Sequence, residues 1–101
     1  MPTNYDRGRR HENKAVQDLR KAGYAAERNA GSHGPWDVTA VNHLGVRLIQ
    51  VKAEGEATAD AWRRLTSIPA PACVSLELWE RVRGGWEIKV VNGPKQPTFT
   101  V

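Results

Sequence analysis

The sequence predicts one α/β domain with a central mixed β-sheet flanked by helices, and three observations carry that prediction. Two segments repeat apolar residues at helical spacing. Five others are short extended runs, most of them rich in Val, Ile or Trp. Their order along the chain is helix, strand, strand, strand, helix, strand, strand. A chain of 101 residues has room for one such unit, so residues 1–101 read as a single domain with 1–6 and 92–101 as flexible termini.

The first helix is expected from Arg7 to about Ala22. It contains no Pro and only Gly8, and it sets Glu12, Val16 and Leu19 at helical spacing with Ala15 beside them. It closes at Gly23, whose missing Cβ suits a helix C-cap. Tyr24 to Arg28 reads as a short extended segment. Residues 29–35 are dense in turn formers and read as a loop. Trp36–Val41 and Val46–Ala53 form a hairpin joined by Asn42-His43-Leu44-Gly45. Thr58 to Ile68 spaces Trp62, Leu65 and Ile68 three apart and is stopped by Pro69, which gives the second helix. Val74, Leu76 and Leu78 alternate with Ser75, Glu77 and Trp79, and a Gly84-Gly85 turn leads into Trp86, Ile88 and Val90. The tail beyond Asn92 holds two prolines, and its Phe99 and Val101 can dock on a neighbour.

Fifteen Lys and Arg against eleven Asp and Glu give a net charge of +4, and the pI is near 9.6. That balance favours a polyanionic partner, although simple solubility would account for it as well. The single Cys73 excludes an intrachain disulfide and a Cys-ligated zinc site. His11, His33 and His43 match no zinc spacing and are expected at the surface. The four tryptophans, 36, 62, 79 and 86, are assigned to core or interface rather than to base stacking. No signal-like start and no apolar run of about 20 residues is present, so the expectation is a soluble cytoplasmic protein of a microbial or virus-infected cell. A groove that grips a polymer is more readily built between two small domains than within one, which makes a homodimer the expected assembly.

A hairpin loop of two residues (43 and 44) or of four (42–45) sets Asp37 opposite Gln50, whereas a three-residue loop does not. Lys52 shares the face of Gln50 because side chains alternate along a strand. A carboxylate, an amide and an ammonium on one face make poor core material and point to a site. The alternative is an ordinary Asp37–Lys52 ion pair on an exposed sheet face. Glu12 lies on the helical stripe of Val16 and Leu19, so its carboxylate points inward, where a divalent cation shared with Asp37 would partner it. Otherwise it is a surface residue paired with Arg9 or Arg10. Phosphodiester hydrolysis needs a metal, an activated water and a nearby cation, and Asp37, Glu12 and Lys52 have the chemistry for those tasks. Arg7, Arg9, Arg10 and Lys14 can track a DNA backbone, or can form a solvated helix face.

One set of motifs is more specific. Arg7-Gly8 is followed by Glu12, Leu19 and Gly23, then Arg28-x-Ala30-Gly31-Ser32-x-Gly34-x-x-Asp37-Val38, then Ile49-Gln50-Val51-Lys52. Over residues 7 to about 53 the chain resembles the archaeal-type Holliday junction resolvases of the PD-(D/E)xK nuclease superfamily. The resemblance implies a restriction-endonuclease-like fold, Mg²⁺ or Mn²⁺ dependent hydrolysis, and a homodimer that cuts two strands of a four-way DNA junction. It makes Glu12, Asp37 and position 50 the metal-associated positions, with the Val51 carbonyl in support, and Lys52 the catalytic lysine. Ser32 becomes a phosphate-contacting serine, although a turn serine bonded to local backbone is an equal reading. Taken with the basic run above, the expected DNA contacts are Arg7, Arg9, Arg10, Lys14, Arg28, Ser32 and His33. One position departs from the pattern: the superfamily's second acid is replaced here by Gln50, which predicts a weaker metal site. The alternatives are a flap or other branched-DNA endonuclease, and a DNA-binding dimer with weak or no cleavage.

Overall fold

The computed structural model describes residues 4–29 and 34–92, and of residues 4–7 and 92 the backbone alone. The expectations placed on the Arg7 side chain, on Ser32 and His33, and on the tail with Phe99 and Val101 lie outside the described residues. Seven elements follow in the expected order: α1 (Asn4–Lys21), β1 (Ala25–Arg28), β2 (Val38–Asn42), β3 (Gly45–Lys52), α2 (Ala59–Thr66), β4 (Val74–Val82) and β5 (Gly85–Asn92). Helix α1 begins at Asn4 rather than Arg7 and runs through Gly8, whose helical cost of about 1 kcal/mol the longer packed helix absorbs. Helix α2 ends earlier than expected. The hydroxyls of Thr66 and Ser67 donate back to the carbonyls of Arg63 and Arg64 and compete with continuation of the helix.

The strands form one sheet in the order β1-β2-β3-β4-β5. β3 and β4 are parallel, joined by the crossover through α2, and every other neighbouring pair is antiparallel. Helix α1 covers one face: Ala15, Val16 and Leu19 pack with Ala26, Val38, Ala40, Ile49, Val51 and Trp79. Helix α2 covers the other, where Ala61 and Leu65 pack with Leu48, Leu76 and Leu78. Strand β4 is therefore buried on both faces from Ser75 through Trp79. No helix among the described residues is long and apolar enough to cross a membrane.

The polar members of β4 are held by a charge that the strand pattern did not reveal. Arg47 and Glu77 are both fully buried. The Arg47 Nη2 donates to Glu77 Oε1 at 2.6 Å and its Nε to Oε2 at 2.8 Å. Ser75 Oγ and Trp79 Nε1 donate to the same carboxylate. The guanidinium also lies 5.1 Å from the Trp79 ring centre and 5.3 Å from that of Tyr24. A buried ion pair adds little net stability, because desolvation offsets the attraction, but only one register satisfies it. It thus fixes β3 against β4, with Arg47 beside Ser75 and Ile49 beside Glu77. Replacing Arg47 with Leu strands a buried carboxylate, so we expect a loss of about 3–5 kcal/mol, read as a lower urea midpoint. A midpoint equal to wild type would show the pair to be dispensable.

The β2–β3 turn is equally constrained. Its loop is the two residues His43 and Leu44, with Asn42 paired to Gly45 and the Asn42 Oδ1 accepting the Leu44 N–H at 2.8 Å. Gly45 has φ +150°, and a Cβ there would sit 2.1 Å from the Cys73 carbonyl oxygen. Only glycine fits this crossing.

Candidate active site

Val38 pairs with Ile49, so Asp37, the residue before β2, lies opposite Gln50. Its backbone N–H donates to the Ile49 carbonyl at 2.8 Å, and its own carbonyl accepts the Asn29 N–H at 2.7 Å. The carboxylate is held as firmly. Oδ2 accepts the Gln50 side-chain amide at 2.8 Å and the Val51 N–H at 3.0 Å. Asp37, Gln50 and Lys52 open onto a cleft of roughly 610 Å³ that also receives Glu12 from α1.

Glu12 points inward as expected, but its partner is neither Arg9 nor Arg10. Arg28 on β1 donates its Nε to Glu12 Oε1 at 2.9 Å. Burial pushes the Glu12 carboxyl above the ordinary glutamate range, the Asp37 charge pushes the same way, and Arg28 opposes both. Burial likewise raises Asp37 and the Glu56 charge adds to it, against the Val51 N–H, Lys52 and Arg28. The site therefore holds two neighbouring carboxylates that resist ionisation. The Lys52 ammonium does not bond Asp37: it pairs with Glu56 Oε2 at 3.1 Å.

His11, Glu54 and Glu56 also line the cleft, although the sequence pattern assigned none of them to the site. His11, expected at the surface, is half-buried and lines the cleft. It shares a helical stripe with Ala15 and Leu19, a spacing that could have revealed it. Glu56 lies four residues past Lys52, beside Gly55, and that spacing is the signal that was available. Other expected site residues lie elsewhere. Arg9 and Arg10 are exposed on α1. Lys14 pairs with Asp18 at 2.9 Å and lines a second groove, beside Arg81 and Trp86. Arg28, expected on DNA, is half-buried against Glu12. Of the tryptophans, Trp79 is core, Trp86 packs against it and donates to Asp18 at 2.9 Å, Trp36 is half-buried, and Trp62 is exposed.

Among the described residues no three His, Cys, Asp or Glu side chains group to hold a metal by themselves. The donors that are present still suit a hard cation. Burial pushes both carboxyls toward protonation and the Asp37 charge pushes Glu12 further, which a divalent ion would relieve, and Mg²⁺ readily keeps waters as further ligands. Gln50 presents its N–H to Asp37, so its amide must turn to offer oxygen.

A five-stranded mixed sheet between two helices, with a clamped carboxylate facing an amide and a lysine across a hairpin, defines a single domain of the restriction-endonuclease-like class. Among solved structures, the chain resembles Archaeoglobus fulgidus Hjc, a Holliday junction resolvase from an archaeal hyperthermophile. The TM-score is 0.68 and the identity 28%, over 84% of this chain and 73% of that one. No protein-family model and no curated protein matches the sequence. The fold and the likeness expected from the motifs are thus borne out by a solved structure.

The raised Asp37 carboxyl carries a consequence for stability. A group whose folded pKa lies above its unfolded value stabilises the fold at low pH, and that contribution is lost as pH rises through the folded value. Asp37→Asn keeps an acceptor for the Val51 N–H and removes the buried charge. In metal-free buffer its melting midpoint should exceed that of wild type at neutral pH, with the gap closing as pH falls through the carboxylate range. A variant melting below wild type at pH 7 would contradict this.

Proposed function

We propose that this chain is a structure-selective endodeoxyribonuclease that resolves four-way DNA junctions by metal-dependent phosphodiester hydrolysis, acting as a homodimer. The observation that carries the reading is the Asp37, Gln50 and Lys52 face at the end of β3, set in a fold like that of an archaeal junction resolvase. Asp37 and Glu12 would hold Mg²⁺ or Mn²⁺, with the Gln50 amide oxygen, once turned, and the Val51 carbonyl as neutral donors. Such an ion would offset phosphate charge and make water nucleophilic near neutral pH. Lys52 meets the charge that develops on the phosphate and orients the attacking water. Arg9 and Arg10, exposed on α1, track the DNA backbone, joined by Arg7, Ser32 and His33. A small basic domain gains a junction-wide surface by pairing with a second copy, and the substrate fits a cytoplasmic enzyme of a microbial or virus-infected cell.

The hydrogen bond from Gln50 to Asp37 favours a second reading, a DNA-binding dimer that has lost cleavage, because it satisfies Asp37 without a metal. Labelled four-way, flap and linear duplexes with Mg²⁺ or Mn²⁺ separate the cases. The resolvase reading predicts paired nicks on the four-way substrate in preference to the others, and a solution mass twice the 11.2 kDa of one chain. Lys52→Ala should slow cleavage by about 10²–10³-fold while junction binding persists. Arg10→Ala should weaken binding in a salt-dependent manner. Tight binding with no nicks from the wild type would leave the second reading standing.

A further inference from the structure

We propose that Glu56 is a positioning residue for Lys52, an inference that rests on the nuclease reading. A lysine ammonium on four rotatable bonds has many rotamers available, and a catalytic cation is useful only when held at the reacting phosphate. In this chain the hydrogen bonds described at Asp37 come from Gln50 and Val51, and the Lys52 ammonium is directed to another carboxylate. That carboxylate belongs to Glu56. Its Oε2 accepts from Lys52 Nζ at 3.1 Å while its Oε1 accepts the Ala53 N–H, also at 3.1 Å. Both carboxylate oxygens are therefore engaged by the segment that carries Lys52.

The turn beneath is built to present that carboxylate. The Glu56 N–H donates to the Ala53 carbonyl at 3.1 Å, and Gly55 adopts φ +78°, which an L side chain rarely does. The Gly55 N–H is fixed by Glu80 Oε2 at 3.1 Å, and Glu80 is the register partner of Lys52 on β4. Turn and lysine are thus referred to the same point of the sheet. Glu56 is half exposed and Lys52 only 20% so, which makes the pair a poor source of stability but an adequate tether. An ammonium has three donors, so one bond to Glu56 leaves two for a phosphate oxygen and a water. Glu56 also lies in the cleft and acts electrostatically on Asp37, so it belongs to the site and not to a distant surface.

The test is single-turnover cleavage of a labelled four-way junction with Mg²⁺ by wild type, Glu56→Gln and Glu56→Asp, alongside junction binding and melting midpoints. Glu56→Gln keeps the size and loses the charge. It should cut at least tenfold more slowly, with Kd within threefold and an unchanged midpoint, and Glu56→Asp should recover part of the rate. Wild-type cleavage by Glu56→Gln overturns the inference and leaves the nuclease reading intact. So does a rate loss that merely follows a fall in midpoint. Absence of nicks from the wild type overturns both.

Discussion

Side chains alternate along a strand, so a slip of one residue between β2 and β3 would turn Asp37 to the opposite face from Gln50 and Lys52. The two-residue loop, the Asn42 side chain closing on Leu44, and the glycine crossing against Cys73 all oppose that slip. The buried Arg47–Glu77 pair then locks β3 to β4. Because Glu80 is in register with Lys52, the same lock carries through to the turn holding Glu56. The site is a product of strand register before it is a product of its own side chains.

The register places together groups that do not stabilise one another. Asp37 and Glu12 are both pushed toward protonation by burial, each next to a like charge. A small domain has only a modest core with which to offset such a cluster. Gln50 reduces the conflict, since its amide donates to Asp37 where a carboxylate would repel it. The substitution trades charge for order: the Gln50 amide holds Asp37 in place, and a cation bound there would lean on Asp37 and Glu12.

The order of all seven elements was legible because it is written in local periodicity and turn chemistry, and the hairpin register followed from loop length alone. Helix ends were less legible, since Asn4 and Asp6 both suit an N-cap and the polar run offers more than one starting point. The Arg47–Glu77 pair was hidden for a different reason. An arginine in β3 and a glutamate in β4, thirty residues apart, carry no local sign of their burial, which comes from the parallel pairing. Glu12 was correctly read as inward, but its partner Arg28 depends on where β1 docks, which no local pattern encodes. Glu56 and His11 were missed because one sits in a turn and the other reads as a surface histidine.

The two desolvated carboxylates and the lysine that open onto one cleft suit phosphodiester hydrolysis. The most direct test is single-turnover nicking of a labelled four-way junction by wild type and Asp37→Asn at saturating protein and Mg²⁺. The account predicts that both bind the junction and that the asparagine variant nicks at least about 10²-fold more slowly. Equal nicking rates would contradict it.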